Sequence, residues 1–198
     1  LVVTAPSSGG STDIITTDLM GKNGYNPDPE YPGDLQDTNY TKTFGGTSSA
    51  TPLVAGVLAL VLEANPNLGW RDVQEILIRS ATKNDPSDAD WRTNSAGIAF
   101  NHKYGAGLVN AHGAVALAKT WENLAPQVHA SAVRTNVNRA IPDDNPAGIT
   151  QTFTLSVTNL RVEHVTVTFD ASHTYRGDLA ITLTSPSGMP SRLSEQHN

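Results

Sequence analysis

Cysteine, basic residues and long apolar runs are all absent or scarce in this chain of 198 residues. The lack of cysteine excludes disulfides and thiolate metal sites. The 13 Lys and Arg residues against 19 Asp and Glu residues give a net charge of −6, the opposite of what nucleic-acid binding requires. The longest apolar run, 53–62, is about half the length that crosses a bilayer. We therefore expect no nucleic-acid partner and no membrane span in this chain.

The run G-G-T-S-S-A-T-P at residues 45–52 comes directly before the most apolar stretch of the chain. This pattern predicts that Ser48 lies at the start of a helix, where backbone N–H groups without intrahelical partners can stabilise an oxyanion. Pro52 has no N–H, so it leaves the Ser48 carbonyl without its helical hydrogen bond. The arrangement is typical of a serine nucleophile, which also needs a base to remove its proton.

Four stretches carry a resemblance to one protein family. The run G-T-S-x-A-x-P resembles the serine signature of the subtilisin-like proteases, with Ser48 in the nucleophile's place. Residues 62–74 (LEANPNLGWRDVQ) and 104–111 (YGAGLVNA) resemble the kexin and furin branch, although that branch usually has threonine at the position of Gly69. Residues 162–193, with RGDLAI and LTSPSG, resemble the P domain of the same branch. The ordered succession of all four stretches is highly specific.

The resemblance implies a fold and a function. Residues 1–125 would be the C-terminal part of an α/β subtilisin-like parallel-sheet peptidase domain, and residues 126–198 the N-terminal part of an all-β, P-domain-like sandwich that is truncated. Ser48 would form an acyl-enzyme with peptide or protein substrates. Calcium is implied as a cofactor, with its usual ligands mostly outside this chain. Cleavage after basic residues is suggested, but it needs acidic pocket residues expected upstream of Leu1, so specificity stays open.

The order of residues along the chain indicates that the triad is incomplete. Subtilisin-type triads run Asp, His, Ser, yet all six histidines follow Ser48: His102, His112, His129, His164, His173 and His197. We therefore expect a fragment. The triad Asp and His and the side-chain oxyanion donor would belong to a missing N-terminal part of the same catalytic domain, and the fragment alone would be inactive. We expect a secreted or extracellular enzyme, possible locations being a bacterial cell surface or a periplasm, since the lack of cysteine favours a secreted bacterial or archaeal enzyme over a eukaryotic convertase.

Periodicity and turn residues predict the local structure. Short strands are expected at residues 1–5 and at Ile14 and Ile15, followed by a polar loop over 21–43. Further predictions are a buried helix over 49–64, an amphipathic helix over 70–81, a hairpin over 91–104 and a helix over 111–121 capped by Asn110. From residue 128 the apolar residues alternate, which predicts strands near 151–157, 165–169 and 179–183.

The loop over 21–43 contains an acidic group that has two interpretations. Its members are Asp28, Glu30, Asp34 and Asp37. Their oxygens could bind Ca²⁺, but their spacing matches no familiar calcium loop, so we favour a solvated surface loop.

Other interpretations remain open at this point. Ser48 could cap a buried helix with no catalytic role. The run 46–50 is one substitution from the G-x-S-x-G elbow of α/β-hydrolases, in which a downstream Asp and His would complete the triad of an esterase. The chain could also be a non-catalytic β-sandwich binding module. His112 is expected to be a helix residue and not a base, and Asp178, within Arg-Gly-Asp, a turn residue and not an adhesion site.

Overall fold

The structure, a computed structural model, describes residues 2–9, 13–27, 34–157 and 160–197. Its contacts divide the chain into two compact units, Leu1–Leu124 and Ala125–Asn198. This division falls one residue from the boundary predicted after Ala125. The assignment of residues 1–125 and 126–198 to two domains stays a prediction.

In its described residues, the first unit contains three α-helices, a short 3₁₀-helix (Gly21–Asn23) and two small antiparallel sheets. The strands β1 and β2 pair with each other, as do β3 and β4. In chain order the elements are β1 (Ile14–Thr17), β2 (Tyr40–Phe44), α1 (Thr47–Ala64), α2 (Trp70–Ser80), β3 (Arg92–Thr93), β4 (Ala99–Phe100) and α3 (Ala111–Ala118). The predicted hairpin, the strand at Ile14 and Ile15 and the amphipathic helix α2 are confirmed. The Asn110 cap is confirmed as well, because its side chain accepts a hydrogen bond from the Gly113 N–H at 2.9 Å.

The predicted first strand is reduced to a single parallel bridge between Thr4 and Leu108, the one parallel pairing among the residues that the structure describes. The Thr4 N–H donates to the Gly107 carbonyl at 2.8 Å, and the Val109 N–H donates to the Thr4 carbonyl at 2.8 Å. Gly107 has φ +125°, and a side chain there would overlap the Thr82 carbonyl. The close approach of these backbones therefore requires glycine.

The core of the first unit lies between the three helices. Val61 of α1, Ile76 of α2 and Ala114 of α3 are fully buried and belong to one cluster. The amphipathic pattern of α2 accounts for this packing, since Ile76 and Leu77 are buried on one face.

Helix α1 differs from its prediction because most of it is exposed. Only Ser49 and Val61 of its residues are buried. Leu53, Leu60 and Leu62 are 38%, 49% and 42% exposed. The helix is apolar around its whole circumference, whereas the neighbouring elements of this unit cover only part of it. Composition predicts which residues prefer burial, but it does not supply the residues that bury them.

By length and composition alone, α1 is also long and apolar enough to cross a membrane, with 18 residues and a mean hydropathy of 1.5. The sequence prediction counted only the run 53–62, whereas the helix adds small uncharged residues before it. A core helix of a water-soluble protein meets the same criterion. The expected absence of a membrane span in this chain therefore stays a prediction.

Asp72 connects the start of α2 with the end of the first unit. This side chain is buried, and its Oδ2 accepts the N–H of Gly69, the N-cap of α2, at 2.8 Å; because glycine has no side chain, only this half of a capping box is present. Its Oδ1 accepts the Trp121 indole N–H at 2.9 Å and the Leu124 N–H at 2.7 Å. Burial alone would raise the pKa of Asp72, but hydrogen bonds from Leu124, Trp121 and Gly69 lower it below its ordinary value of 3.8.

We expect Asp72→Ala to lower the free energy of unfolding by about 2–4 kcal/mol, because three N–H groups lose their acceptor. Since the folded-state pKa is lowered, the carboxylate stabilises the fold above pH ~4 and loses this effect as the pH falls further. Urea unfolding at pH 7 and pH 3 measures both effects, and the variant should lack this part of the pH dependence. Arg79→Ala, which removes an i,i+4 ion pair with Glu75 on the same helix, should cost about 0.5 kcal/mol. Equal losses of unfolding free energy in Asp72→Ala and Arg79→Ala would contradict the prediction.

In the described part of the second unit, β5 (Ile181–Thr184) and β6 (Pro190–Ser194) form an antiparallel hairpin. This hairpin contains the third of the strands predicted from alternation. The segments 151–157 and 165–169 form no strand in the part of them that the structure describes, and their apolar residues are exposed, Phe153 and Phe169 by 50% and 48%. Alternation indicates which segments can pair, but a strand forms only where a neighbour supplies the hydrogen bonds.

Candidate active site

The turn before α1 presents Ser48 to solvent. Gly46 is the N-cap of the helix and has φ +72°, a left-handed conformation that favours glycine. Ser48, the second residue of the helix, is exposed. Neither its hydroxyl nor its N–H has a hydrogen-bond partner among the residues that the structure describes. Both groups are therefore available to a bound molecule.

The first turn of α1 has the irregularity that the sequence predicted. Pro52 lies inside the helix and donates no hydrogen bond to the Ser48 carbonyl. The Thr51 hydroxyl donates to the Thr47 carbonyl at 2.8 Å. The first helical turn is thus held by side chains as well as by backbone, and Ser48 remains uncovered.

Strand β2, which pairs with β1, ends directly before the turn that precedes α1. Ile14 pairs with Phe44, and the Asp13 N–H donates to the Lys42 carbonyl at 3.0 Å. The buried Asn26 side-chain amide donates to the carbonyls of Leu35 and Tyr40, both at 2.8 Å, and so connects the preceding loop to β2. The turn before Ser48 therefore follows a strand that is held by β1 and by the Asn26 side chain.

The described part of the acidic loop does not fit a calcium site. The Asp34 carboxylate already accepts the Thr41 hydroxyl at 2.7 Å and the Lys42 and Leu35 N–H groups at 2.8 and 2.9 Å. Burial would raise the pKa of Asp34, but these bonds lower it below its ordinary value. Asn26 Oδ1 is buried without a hydrogen-bond partner, yet it is one oxygen where Ca²⁺ takes about six to eight.

Two members of the acidic group, Asp28 and Glu30, lie outside the described residues. Within the described ranges, no group of three His, Asp or Glu residues could hold a metal ion. The surface-loop interpretation is therefore the one that agrees with the contacts of Asp34.

One histidine forms a pair with a carboxylate. His102 Nδ1 lies 2.9 Å from Asp90 Oδ2, and the His102 N–H donates to the same oxygen at 2.8 Å. These two bonds from His102 lower the pKa of Asp90. The order Ser48, Asp90, His102 is the order of an α/β-hydrolase triad, but neither residue of the pair forms a hydrogen bond with Ser48 in the described structure. Sequence reasoning missed the pair because the hairpin between the two residues brings them together.

A second ionic contact supports the same hairpin. The Lys103 ammonium contacts the Asp88 carboxylate, which also accepts the Asn101 amide at 3.1 Å. The Lys103 hydrogen bond lowers the pKa of Asp88 to about 2. We interpret these contacts as the means by which residues 85–103 keep their shape.

The two remaining candidate residues of the sequence analysis, His112 and Asp178, form no comparable pair in the part of the chain that the structure describes. His112 is exposed on α3, and Asp178 is exposed in a single turn of 3₁₀-helix, Arg176–Asp178. Neither forms an ion pair among the described residues. These placements agree with the structural interpretation of both residues.

Comparison with known protein families shows which family the chain belongs to. The family model "Subtilase family" matches residues 5–107, just over half of the chain, and includes Ser48 and its turn. The chain belongs to the subtilase family. A second model, "Proprotein convertase P-domain", matches residues 162–198 of this subtilase. The predicted family and the fold class, a subtilisin-like domain followed by a P-domain-like β-sandwich, are confirmed.

Individual relatives agree with this assignment. The subtilase is 38% identical over 200 residues to Protease KEX1 of Kluyveromyces lactis, covering 98% of this chain and 24% of that protein. It is 37% identical to human proprotein convertase subtilisin/kexin type 5, covering 97% of this chain and 10% of that protein. The crystal structure of the serine protease of Aeromonas sobria superposes with a TM-score of 0.74 at 30% identity, covering 93% of this chain and 36% of that one.

The subtilase chain therefore spans about a quarter or less of the length of these two curated relatives.

The family match also bears on the two alternative interpretations, an α/β-hydrolase esterase and a non-catalytic binding module. An α/β-hydrolase elbow is not the context of Ser48, because the whole segment from residue 5 to residue 107 matches a subtilase. A binding module alone would not account for this match either.

Proposed function

We propose that the enzyme to which this chain belongs is a serine endopeptidase of the subtilisin and kexin type, acting on peptides or proteins, with Ser48 as its nucleophile. The observation that carries the proposal is the exposed Ser48 at the start of α1, with its hydroxyl and its N–H both unpartnered in the described structure. The reaction class follows from the family.

The proposed reaction forms and breaks one covalent bond to Ser48. The Ser48 oxygen attacks the carbonyl carbon of the substrate while a base takes the hydroxyl proton. The Ser48 N–H donates to the oxyanion that forms, which the positive end of the helix dipole also stabilises. The amide bond then breaks, the base returns the proton to the leaving amine, and water hydrolyses the ester of Ser48.

We propose that the other catalytic groups come from a part of the enzyme outside this chain. No histidine precedes Ser48, and no histidine of the described residues forms a hydrogen bond with it. The base, its orienting aspartate and the side-chain oxyanion donor would belong to an N-terminal portion of the same domain.

For the remainder of the chain, we propose a peptidase portion at 1–125 and a P-type domain at 126–198. The proposal is supported by the division of contacts between Leu124 and Ala125 and by the P-domain match from residue 162. We also propose that the enzyme is secreted or extracellular. This proposal is supported by the similarity to kexin-type proteases.

A fluorophosphonate probe, which modifies only an activated serine, tests the proposed nucleophile in the whole enzyme. We expect one labelled peptide, which contains Ser48, and no label in the Ser48→Ala variant. Labelling of a different serine, with Ser48 unmodified, would contradict the proposal.

We propose calcium as a structural ion of the whole enzyme, bound by residues outside the described part of this chain. The support is the kexin-type similarity together with the described carboxylates, which form no cluster for a metal ion. Chelation with EGTA should then lower the melting temperature of the whole enzyme, and added CaCl₂ should restore it, as expected for a ligand of the folded state. An unchanged melting temperature would contradict a structural role for calcium.

A further inference from the structure

Two serines from a distant segment contact the backbone just before the nucleophile. The Ser7 hydroxyl donates to the Gly46 carbonyl at 2.6 Å. The Gly46 N–H donates to the Ser8 hydroxyl oxygen at 3.1 Å. Thus both polar groups of the Gly46 backbone are held by residues 38 and 39 positions away.

The serine that follows the nucleophile uses the same carbonyl. The Ser49 hydroxyl donates to the Gly46 carbonyl at 2.9 Å and lies 3.4 Å from the Ser7 hydroxyl oxygen. The Ser49 N–H also donates to this carbonyl, at 3.2 Å. Hydroxyl groups from both sides of the turn therefore meet at one oxygen atom.

Glycine at two successive positions makes this arrangement sterically possible. A side chain at Gly45 would overlap the Ser8 hydroxyl oxygen. Gly46 has φ +72°, in the region where side chains are strained. The two glycines thus allow Ser7 and Ser8 to reach the backbone.

The burial of Ser49 determines the direction of Ser48. Ser49 is 1% exposed, whereas Ser48 is exposed. Consecutive side chains of an α-helix with 3.6 residues per turn point about 100° apart. A hydrogen bond that holds Ser49 inward, together with one that holds the preceding carbonyl, therefore keeps the Ser48 hydroxyl pointing out of the turn.

We propose that Ser7 and Ser49 are positioning residues for Ser48, acting through the Gly46 carbonyl that their two hydroxyl groups share. This inference rests on the proposed serine-peptidase function. Neither residue touches the substrate. They fix the position from which the Ser48 oxygen attacks and the direction of the Ser48 N–H toward the oxyanion, and attack is sensitive to displacements of about 1 Å.

The test measures the acylation rate of the whole enzyme by single-turnover kinetics, with each preparation normalised by its folded fraction. Ser7→Ala and Ser49→Ala are each expected to lower the acylation rate about tenfold or more, with KM changed less than about twofold. The variant Ser7→Thr, which keeps the hydroxyl, should recover most of the rate. Because the two residues act on one carbonyl, the double variant should lose less than the product of the single losses.

Ser80→Ala is the matched control. The half-buried Ser80 hydroxyl also donates to a helix carbonyl, that of Leu77 at 3.4 Å, but at the end of α2. This variant should keep the wild-type acylation rate. If Ser7→Ala does not fold, Ser7→Cys keeps nearly the same shape with a much weaker donor and should show the same loss of rate.

The outcomes separate this inference from the proposed function. A Ser48→Ala enzyme that still acylates would contradict the proposed function itself. A Ser48→Ala enzyme without activity, combined with acylation rates for Ser7→Ala and Ser49→Ala within about twofold of wild type, would overturn the positioning role alone. Variants that lose only thermal stability, with acylation per folded enzyme unchanged, would overturn it as well.

Discussion

Replacement of Ser48 by alanine in the whole enzyme is expected to lower kcat by about 10⁴–10⁶. The substitution removes the attacking oxygen and leaves the N–H that serves the oxyanion, so a residual rate above that in water should remain. Because Ser48 is exposed and its hydroxyl bonds to no described residue, folding and substrate binding should be nearly unchanged. Steady-state kinetics, a peptide-binding measurement and a melting curve test these three parts separately.

Thr51→Ala is a suitable comparison for this prediction. It removes a hydroxyl from the same helical turn, where the Thr51 hydroxyl donates to the Thr47 carbonyl, and it should change kcat far less than Ser48→Ala does. A Ser48→Ala enzyme with more than about a tenth of the wild-type activity would remove Ser48 from the mechanism.

The 198-residue chain on its own is expected to be catalytically inert. Ser48 has no histidine within hydrogen-bond distance in the described structure, and a serine hydroxyl without a base is a poor nucleophile at neutral pH. We therefore expect neither hydrolysis of a peptide substrate nor labelling by a fluorophosphonate faster than that of free serine.

The Asp90–His102 pair makes this second prediction informative. If the chain alone were labelled at Ser48, its own residues would have to supply the base, and His102 would be the first candidate. His102→Gln would then abolish the labelling, and the proposal of a base from outside this chain would have to be dropped. Absence of labelling in the chain, with labelling of the whole enzyme, agrees with a base from outside residues 1–198.

Local signals in the sequence were sufficient for several elements. The apolar spacing of α2, the Asn110 cap and the turn residues of the β3–β4 hairpin each act within a few residues, and the structure contains all three. The motif around Ser48 likewise indicated a helix start, since this feature depends on residues 45–52. The family followed from four such stretches in order.

Contacts between distant segments could not be predicted in this way. Alternation over 151–157 indicated a strand, but no partner pairs with that segment in its described residues. The apolar composition of α1 indicated burial, yet the first unit covers only part of the helix. In both cases the sequence shows which residues favour pairing or burial. Pairing and burial also require a second segment that packs against those residues.

The sequence by itself determined that Ser48 lies at the start of a helix, because two glycines and a proline act within one turn of this residue. Only the tertiary structure decided what holds that turn. Ser7 and Ser49 are 42 positions apart, and Asp72 reaches Leu124 over 52 positions. No period or motif of the sequence links such pairs, because each contact forms only when the whole unit folds and brings a donor to an acceptor that local structure left unpaired.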